Sequence, residues 1–85
     1  MAIYKIRIKK SAQKEITALQ LSDRKKIVFR IQKLAKEPRS VDCKKLSAQE
    51  RYRIRVGNFR ILYEIQDVVL IVTVVRVAHR KDFYR

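Results

Sequence analysis

The sequence predicts an α+β domain with element order β-α-α-β-β-β: a four-stranded, mostly antiparallel sheet with a helical hairpin on one face. Three observations predict it. Apolar residues alternate at the start of the chain, recur twice at helical spacing, and then fall into three consecutive strand-like runs. Hydrophobic residues make up 47% of the 85 residues, enough for a modest core and for one domain over residues 1–85. Glycine and proline occur once each, so no linker or low-complexity tract divides the chain.

The first strand is read from Ile3 to Lys9, with Tyr4, Ile6 and Ile8 on one side and Lys5, Arg7 and Lys9 on the other. Ser11 then offers an N-cap, and Ala12, Ile16 and Leu19 recur at helical spacing. A break at Leu21-Ser22 and a restart at Ser22-Asp23 give a helical hairpin. Ile27, Ile31 and Leu34, with Val28 and Ala35, form the second helix's apolar stripe, and Pro38 stops it. Phe29 points away from that stripe. Arg39 to Gln49 reads as a loop. Strands follow at Arg51–Val56, Phe59–Gln66 and Val68–Ala78, and three in a row favour a meander. The last is apolar on both faces, which suits an interior strand.

Gly57-Asn58 as a two-residue turn pairs Val56 with Phe59 and sets Arg55 opposite Arg60. Arg53 and Arg55 then share that face, while Tyr52 and Tyr63 point to the helices and belong to the core. A second turn at Gln66-Asp67 would put Arg60 opposite Thr73 and Leu62 opposite Ile71. The arginines would then lie beside an apolar floor of Leu62, Val69 and Ile71. Like charges across a ladder repel, so a fold gains little by collecting guanidinium groups there. A phosphate-binding surface does gain, since each guanidinium can grip one phosphate with two hydrogen bonds.

The charge agrees. Lys and Arg number 22 against 8 Asp and Glu, a formal net charge of +14, which favours a polyanionic partner. Ten of eleven lysines precede Leu46, while seven of eleven arginines follow Glu50. The N-terminal half thus supplies diffuse charge, and the C-terminal third supplies groups that can be aimed. Cys43 is the single cysteine, so an internal disulfide is excluded and a reducing cytoplasm is the expected setting. One Cys and one distant His offer little to a metal, and neither metal nor cofactor is expected. No apolar run approaches the ~18 residues that span a membrane.

The chain ends Val77-Ala78-His79-Arg80-Lys81-Asp82-Phe83-Tyr84-Arg85. This ending, the preceding strand and helical hairpin, and the segment Tyr52-Arg53-Ile54-Arg55-Val56-Gly57-Asn58-Phe59-Arg60-Ile61-Leu62-Tyr63 together resemble the RelE branch of the RelE/ParE toxin superfamily. The resemblance covers nearly the whole chain. It implies a bacterial or archaeal toxin that cleaves messenger RNA in the ribosomal A site. It also implies a cognate antitoxin that wraps an amphipathic segment over the toxin, with DNA contacted only through that antitoxin. Carried over by motif, Arg53 and Arg55 match the basic pair of the first hairpin strand, Arg60 the arginine of the second, Arg80 the basic residue after the last strand, and Tyr84 the terminal tyrosine. His79 falls where many relatives carry histidine. Where the pattern has arginine after a Lys-Leu pair, this chain has Ser47, with Arg51 nearby.

The chemistry can be stated from the residues. Metal-free RNA cleavage uses the 2′-hydroxyl as nucleophile. It needs a proton acceptor, a stabiliser of the phosphorane's charge, and a proton donor for the departing 5′-oxygen. Arginine stays protonated, with a pKa above ~12, so Arg55, Arg60 and Arg80 are expected to stabilise charge. Arg51, Arg53 and Lys81 are expected to hold phosphates. His79, with a reference pKa near ~6.5, can be base or acid. Tyr84 is a weaker acid–base candidate or a platform for a base. The alternatives are a ParE-type toxin that inhibits DNA gyrase by binding, and a non-catalytic RNA-binding protein of the ribosome.

Overall fold

The computed structural model describes residues 3–46, 51–79 and 81. It is an α+β fold, with two helices against one face of a mixed sheet. β1 is Lys5–Ile8, α1 Lys10–Thr17, α2 Leu21–Lys33, β2 Lys44–Leu46, β3 Arg51–Val56, β4 Phe59–Gln66 and β5 Ile71–His79. The strand order is β1-β5-β4-β3-β2. The sheet therefore has five strands where four were expected. Lys44–Leu46, inside the expected loop, pairs antiparallel with β3. Three residues carry little strand signal alone; the free edge of β3 recruits them. β1 runs parallel to β5 along the opposite edge, and the other pairings are antiparallel.

The helix starts differ from expectation. Lys9, not Ser11, is the extended N-cap of α1, and Ser11 lies inside the first turn. Gln13 reaches back instead, its Nε2 donating to the Ile8 carbonyl at 2.9 Å. α2 begins at Leu21 after the N-cap Gln20. Arg24 ties the two helices together, its Nη2 donating to the carbonyls of Thr17 (3.0 Å) and Leu19 (3.2 Å) at the end of α1. That supplies a cation where α1's terminal carbonyls gather partial negative charge.

The core lies between helices and sheet, where Ile27, Ile31 and Leu34 meet Ile54, Ile61 and Val74, all essentially inaccessible. Tyr52 and Tyr63 stack across β3 and β4 with centroids 5.9 Å apart. Tyr63 is fully buried and donates to the Pro38 carbonyl at 2.7 Å. Burial is the chief cause that pushes its phenol well above the usual tyrosine range. Both tyrosines are therefore core residues, as their face predicts. α1 also seals an edge: where β1 ends, Glu15 Oε1 accepts from the Val77 N–H at 2.8 Å. This occupies a strand donor that β1 is too short to reach.

The β3–β4 register is the predicted one, with Val56 opposite Phe59 and Arg55 opposite Arg60. Gly57 has φ +57, and Asn58 is not in the left-handed region, which is the pattern of a type II′ hairpin. The β4–β5 register is not the predicted one. The turn runs from Asp67 to Leu70, with Leu70 at φ +55, and Gln66 pairs with Ile71. A bulge between Leu62 and Tyr63 then shifts the ladder, so Leu62 faces Arg76 and Arg60 faces Ala78. The expected apolar floor is broken up, since Leu62 and Ile71 stay on the arginine face but no longer face each other. Val69 is exposed in the turn, and Leu62 sits between Arg53 and Arg76.

Candidate nucleic-acid interface

The sheet face away from the helices is built by alternation on five strands. At the hairpin end, Arg55, Arg60 and Ala78 form one row across β3, β4 and β5. The next row is Lys44, Arg53, Leu62 and Arg76. The third is Leu46, Arg51, Glu64, Thr73 and Arg7, and Lys5 follows opposite Ile71. Among the described residues this face holds eight cations and a single carboxylate, Glu64. Lys5, Arg7, Lys44 and Arg76 were not foreseen there. Their signal existed, since Lys5 and Arg7 alternate with core residues, but it became readable only once β1 and β2 had partners.

The predicted site residues divide into three groups. Arg53, Arg55 and Arg60 share this face and its hairpin end. Arg55 is exposed and Arg53 half-buried, and neither takes part in an ion pair among the described residues. Arg60, opposite Arg55, is buried. Arg51 is engaged otherwise: its Nε donates to Glu64 Oε2 at 2.8 Å. Its charge is thus already matched, which argues against the phosphate-holding role expected of it. Arg80 and Tyr84 lie outside the described residues. Lys81 is exposed and enters through its backbone, its N–H donating to His79 Nδ1 at 3.3 Å.

His79 lies apart from these groups. It does not join the arginines. It pairs with Phe59 on the helix side of the sheet, with ring centroids 5.5 Å apart in an edge-to-face contact. There it lines a cavity with Asp23 and Lys26 of α2. The bulge is the cause. Below it, Ile71 and Thr73 point to the arginine face, and unbroken alternation would have carried that face on to His79. One extra residue reverses the parity, so Arg76 and Ala78 take the arginine face and Val77 and His79 turn inward.

The arginine face can therefore bind and stabilise negative charge at several points, but its described side chains include no group that exchanges a proton at neutral pH. Among the described residues, no cluster of three or more His, Cys, Asp or Glu could hold a metal ion. No described helix is long and apolar enough to cross a membrane.

Comparison with known proteins agrees with this architecture. Residues 6–84 match the family model of the ParE toxin of the type II toxin–antitoxin system. The fold superimposes on the toxin in a RelBE toxin–antitoxin complex from Mycobacterium tuberculosis with a TM-score of 0.82, at 29% identity over 94% of each chain. It resembles a RelB–RelE antitoxin–toxin complex from Methanococcus jannaschii with a TM-score of 0.72, at 30% identity over 92% of this chain and 94% of that one. For the Escherichia coli RelBE complex the values are 0.80 and 22%, over 89% and 95%. A comparison with curated protein sequences returned no significant match. The chain belongs to the RelE/ParE toxin superfamily and is a toxin of a type II toxin–antitoxin system.

Proposed function

We propose that this toxin is a ribosome-dependent mRNA interferase, an endoribonuclease acting on messenger RNA in the ribosomal A site. The observation that carries the reading is the arginine row at the hairpin end. Arg55 and Arg53 have no carboxylate among the described residues, and they stand with Arg60 on one face. Placing cations opposite one another costs stability, and a phosphate backbone laid across them reverses that cost.

In this reading Arg53 holds a flanking phosphate, and Arg55 and Arg60 contact the scissile one. The 2′-oxygen loses its proton and bonds to phosphorus; the phosphorus–O5′ bond breaks, and O5′ takes up a proton. The products are a 2′,3′-cyclic phosphate and a 5′-hydroxyl. Arg55, Arg60 and Arg80 stabilise the charge that accumulates on the phosphorane oxygens. With His79 on the helix side, proton exchange falls to Tyr84, the other acid–base candidate of the predicted set. A phenol with a reference pKa near ~10 is a weak catalyst, so the ribosome must supply much of the rate by aligning the 2′-oxygen with the leaving group.

A cognate antitoxin neutralises the toxin. The solved relatives include toxin–antitoxin complexes, and a net charge of +14 suits an acidic, amphipathic wrapping segment. Primer extension after brief induction without antitoxin tests the reading. New 5′ ends within translated regions, absent when translation is blocked, are expected. Intact messages together with arrested supercoiling by DNA gyrase would overturn it in favour of the gyrase-inhibiting reading, which the name of the matched family model favours.

A further inference from the structure

We infer that the cavity on the helix side of the hairpin end is a recognition site for an unstacked guanine base of the bound RNA. The inference rests on the interferase reading for the RNA strand, and on the cavity itself for the base. The cavity has a volume of about 310 Å³ and lies between the first half of α2 and the Gly57-Asn58 turn. That is at the small end of the range of ligand pockets, about 300–1,000 Å³. It accommodates one aromatic heterocycle, not an extended segment.

Its lining suits a nucleobase. Val56 and the Phe59–His79 pair provide apolar and aromatic surface of the kind on which unstacked bases rest. Asp23 and Lys26 are three residues apart on α2, hence on one side of it. Both line the cavity. Neither has a hydrogen bond or ion pair among the described residues, with each other or with any neighbour. A carboxylate beside an ammonium is the complement of the guanine Watson–Crick edge. The carboxylate accepts from N1–H and the N2 amino group together, and the ammonium donates to O6. Adenine, cytosine and uracil do not offer two adjacent donors on that edge. His79 adds a further donor: its Nδ1 accepts from the Lys81 N–H, which leaves Nε2–H as the proton-bearing nitrogen of the neutral ring.

The position is equally specific. The cavity and the Arg55–Arg60 row flank the same end of the sheet on opposite faces. Gly57 forms the rim between them. A Cβ built there would meet nothing within 4 Å, so the rim is open to a strand crossing it. A phosphate backbone held by the arginines can therefore turn one base over the rim and into the cavity. Asp23 also places negative charge in the first turn of α2, where it favours the helix. That role needs only a charge. Base pairing with guanine needs the carboxylate at one distance, which separates the two roles experimentally.

The test is a pair of measurements on the full-length toxin, its Asp23→Asn variant and its Asp23→Glu variant, which keeps the helix charge. First, 5′-GMP and 5′-AMP are titrated against each protein by NMR. For the unmodified toxin, signals of Gly57, Asn58 and His79 should move at about tenfold lower concentration of GMP than of AMP, and both variants should abolish the difference. Second, cleavage sites are mapped on translated mRNA. They should share a guanine at a fixed offset from the cut, and the variants should lose that preference. Equal response to GMP and AMP, or an unchanged cleavage pattern in both variants, overturns the base site while leaving the interferase intact. Discrimination between GMP and AMP by a toxin that leaves mRNA uncut supports the site and removes the interferase reading. Unchanged nucleotide response with weakened antitoxin binding in Asp23→Asn also overturns the proposal and assigns the cavity to the protein partner.

Discussion

Arg39 and Arg55 sit at opposite ends of the sheet and have opposite fates. At the β4–β5 turn, Arg39 grips Asp67 with both terminal nitrogens, at 3.0 and 2.8 Å, and its Nε donates to the Tyr52 hydroxyl at 2.9 Å. Its guanidinium also lies over the Tyr52 ring, 5.2 Å from the centroid, and Tyr4 donates to the same carboxylate at 2.7 Å. The guanidinium of Arg39 and the carboxylate of Asp67 are thus matched to each other within the chain. At the hairpin end Arg55 faces Arg60 across the ladder, and Arg55 has no ion pair among the described residues. The same side chain thus fastens the fold in one place and, in the proposed function, addresses a ligand in the other. What separates the two is the company of a carboxylate, not the residue type.

The largest expected effect breaks the ligand-facing end. Arg55→Ala should lower the rate of message cleavage on translating ribosomes by about 100–1,000-fold, as loss of one charge stabiliser does. Because Arg55 is exposed, its unfolding free energy should stay within about 0.5 kcal/mol of the parent. A parallel fall in stability would mean that Arg55 supports the fold and would erase the contrast with Arg39. Next is Tyr63→Phe, which strips the buried Pro38 carbonyl of its donor. It should cost about 1–3 kcal/mol in urea unfolding and leave the cleavage pattern unchanged.

The hairpin end was largely legible in the sequence and the remainder only in part. The Arg55–Arg60 pairing followed from Gly57-Asn58, because a two-residue turn fixes the register. The tyrosine pair followed from the same count. Counting failed at β5 for two physical reasons. The second turn recruits Val68, Val69 and Leu70, and the sequence carries no glycine where the chain turns left-handed. The bulge opposite Leu62 then inserts a residue that no local signal marks. Only the bulge decides on which side His79 emerges, because the longer turn moves the register of β5 by an even number of residues and leaves its parity as expected. β2 was illegible for another reason, being strand only because β3 offers it an edge. Arg39 was read as loop for want of any sign that Asp67, far along the chain, would meet it.

Two smaller experiments sharpen the fold-fastening end. Arg39→Ala should destabilise by about 1 kcal/mol or less, because the ion pair is half-exposed and screened by solvent. It should spare ribosome-dependent cleavage altogether. The smallest effect is one of pH. Arg39 first, and Tyr4 second, hold the Asp67 carboxyl down at about 2. In the unfolded chain an aspartate titrates near ~3.9. The folded value is the lower one, so protonation favours the unfolded chain. The stability that Asp67 lends is complete above about pH 5 and drains away as the pH falls through about 4 toward 2. Asp67→Asn has no such titration to lose. Urea midpoints of the parent and Asp67→Asn should therefore differ most at neutral pH, converge as the solution is acidified, and meet near pH ~2. A gap that stays constant across that range would show that hydrogen bonding to Tyr4 and Arg39, rather than the charge of the carboxylate, fastens this end of the sheet.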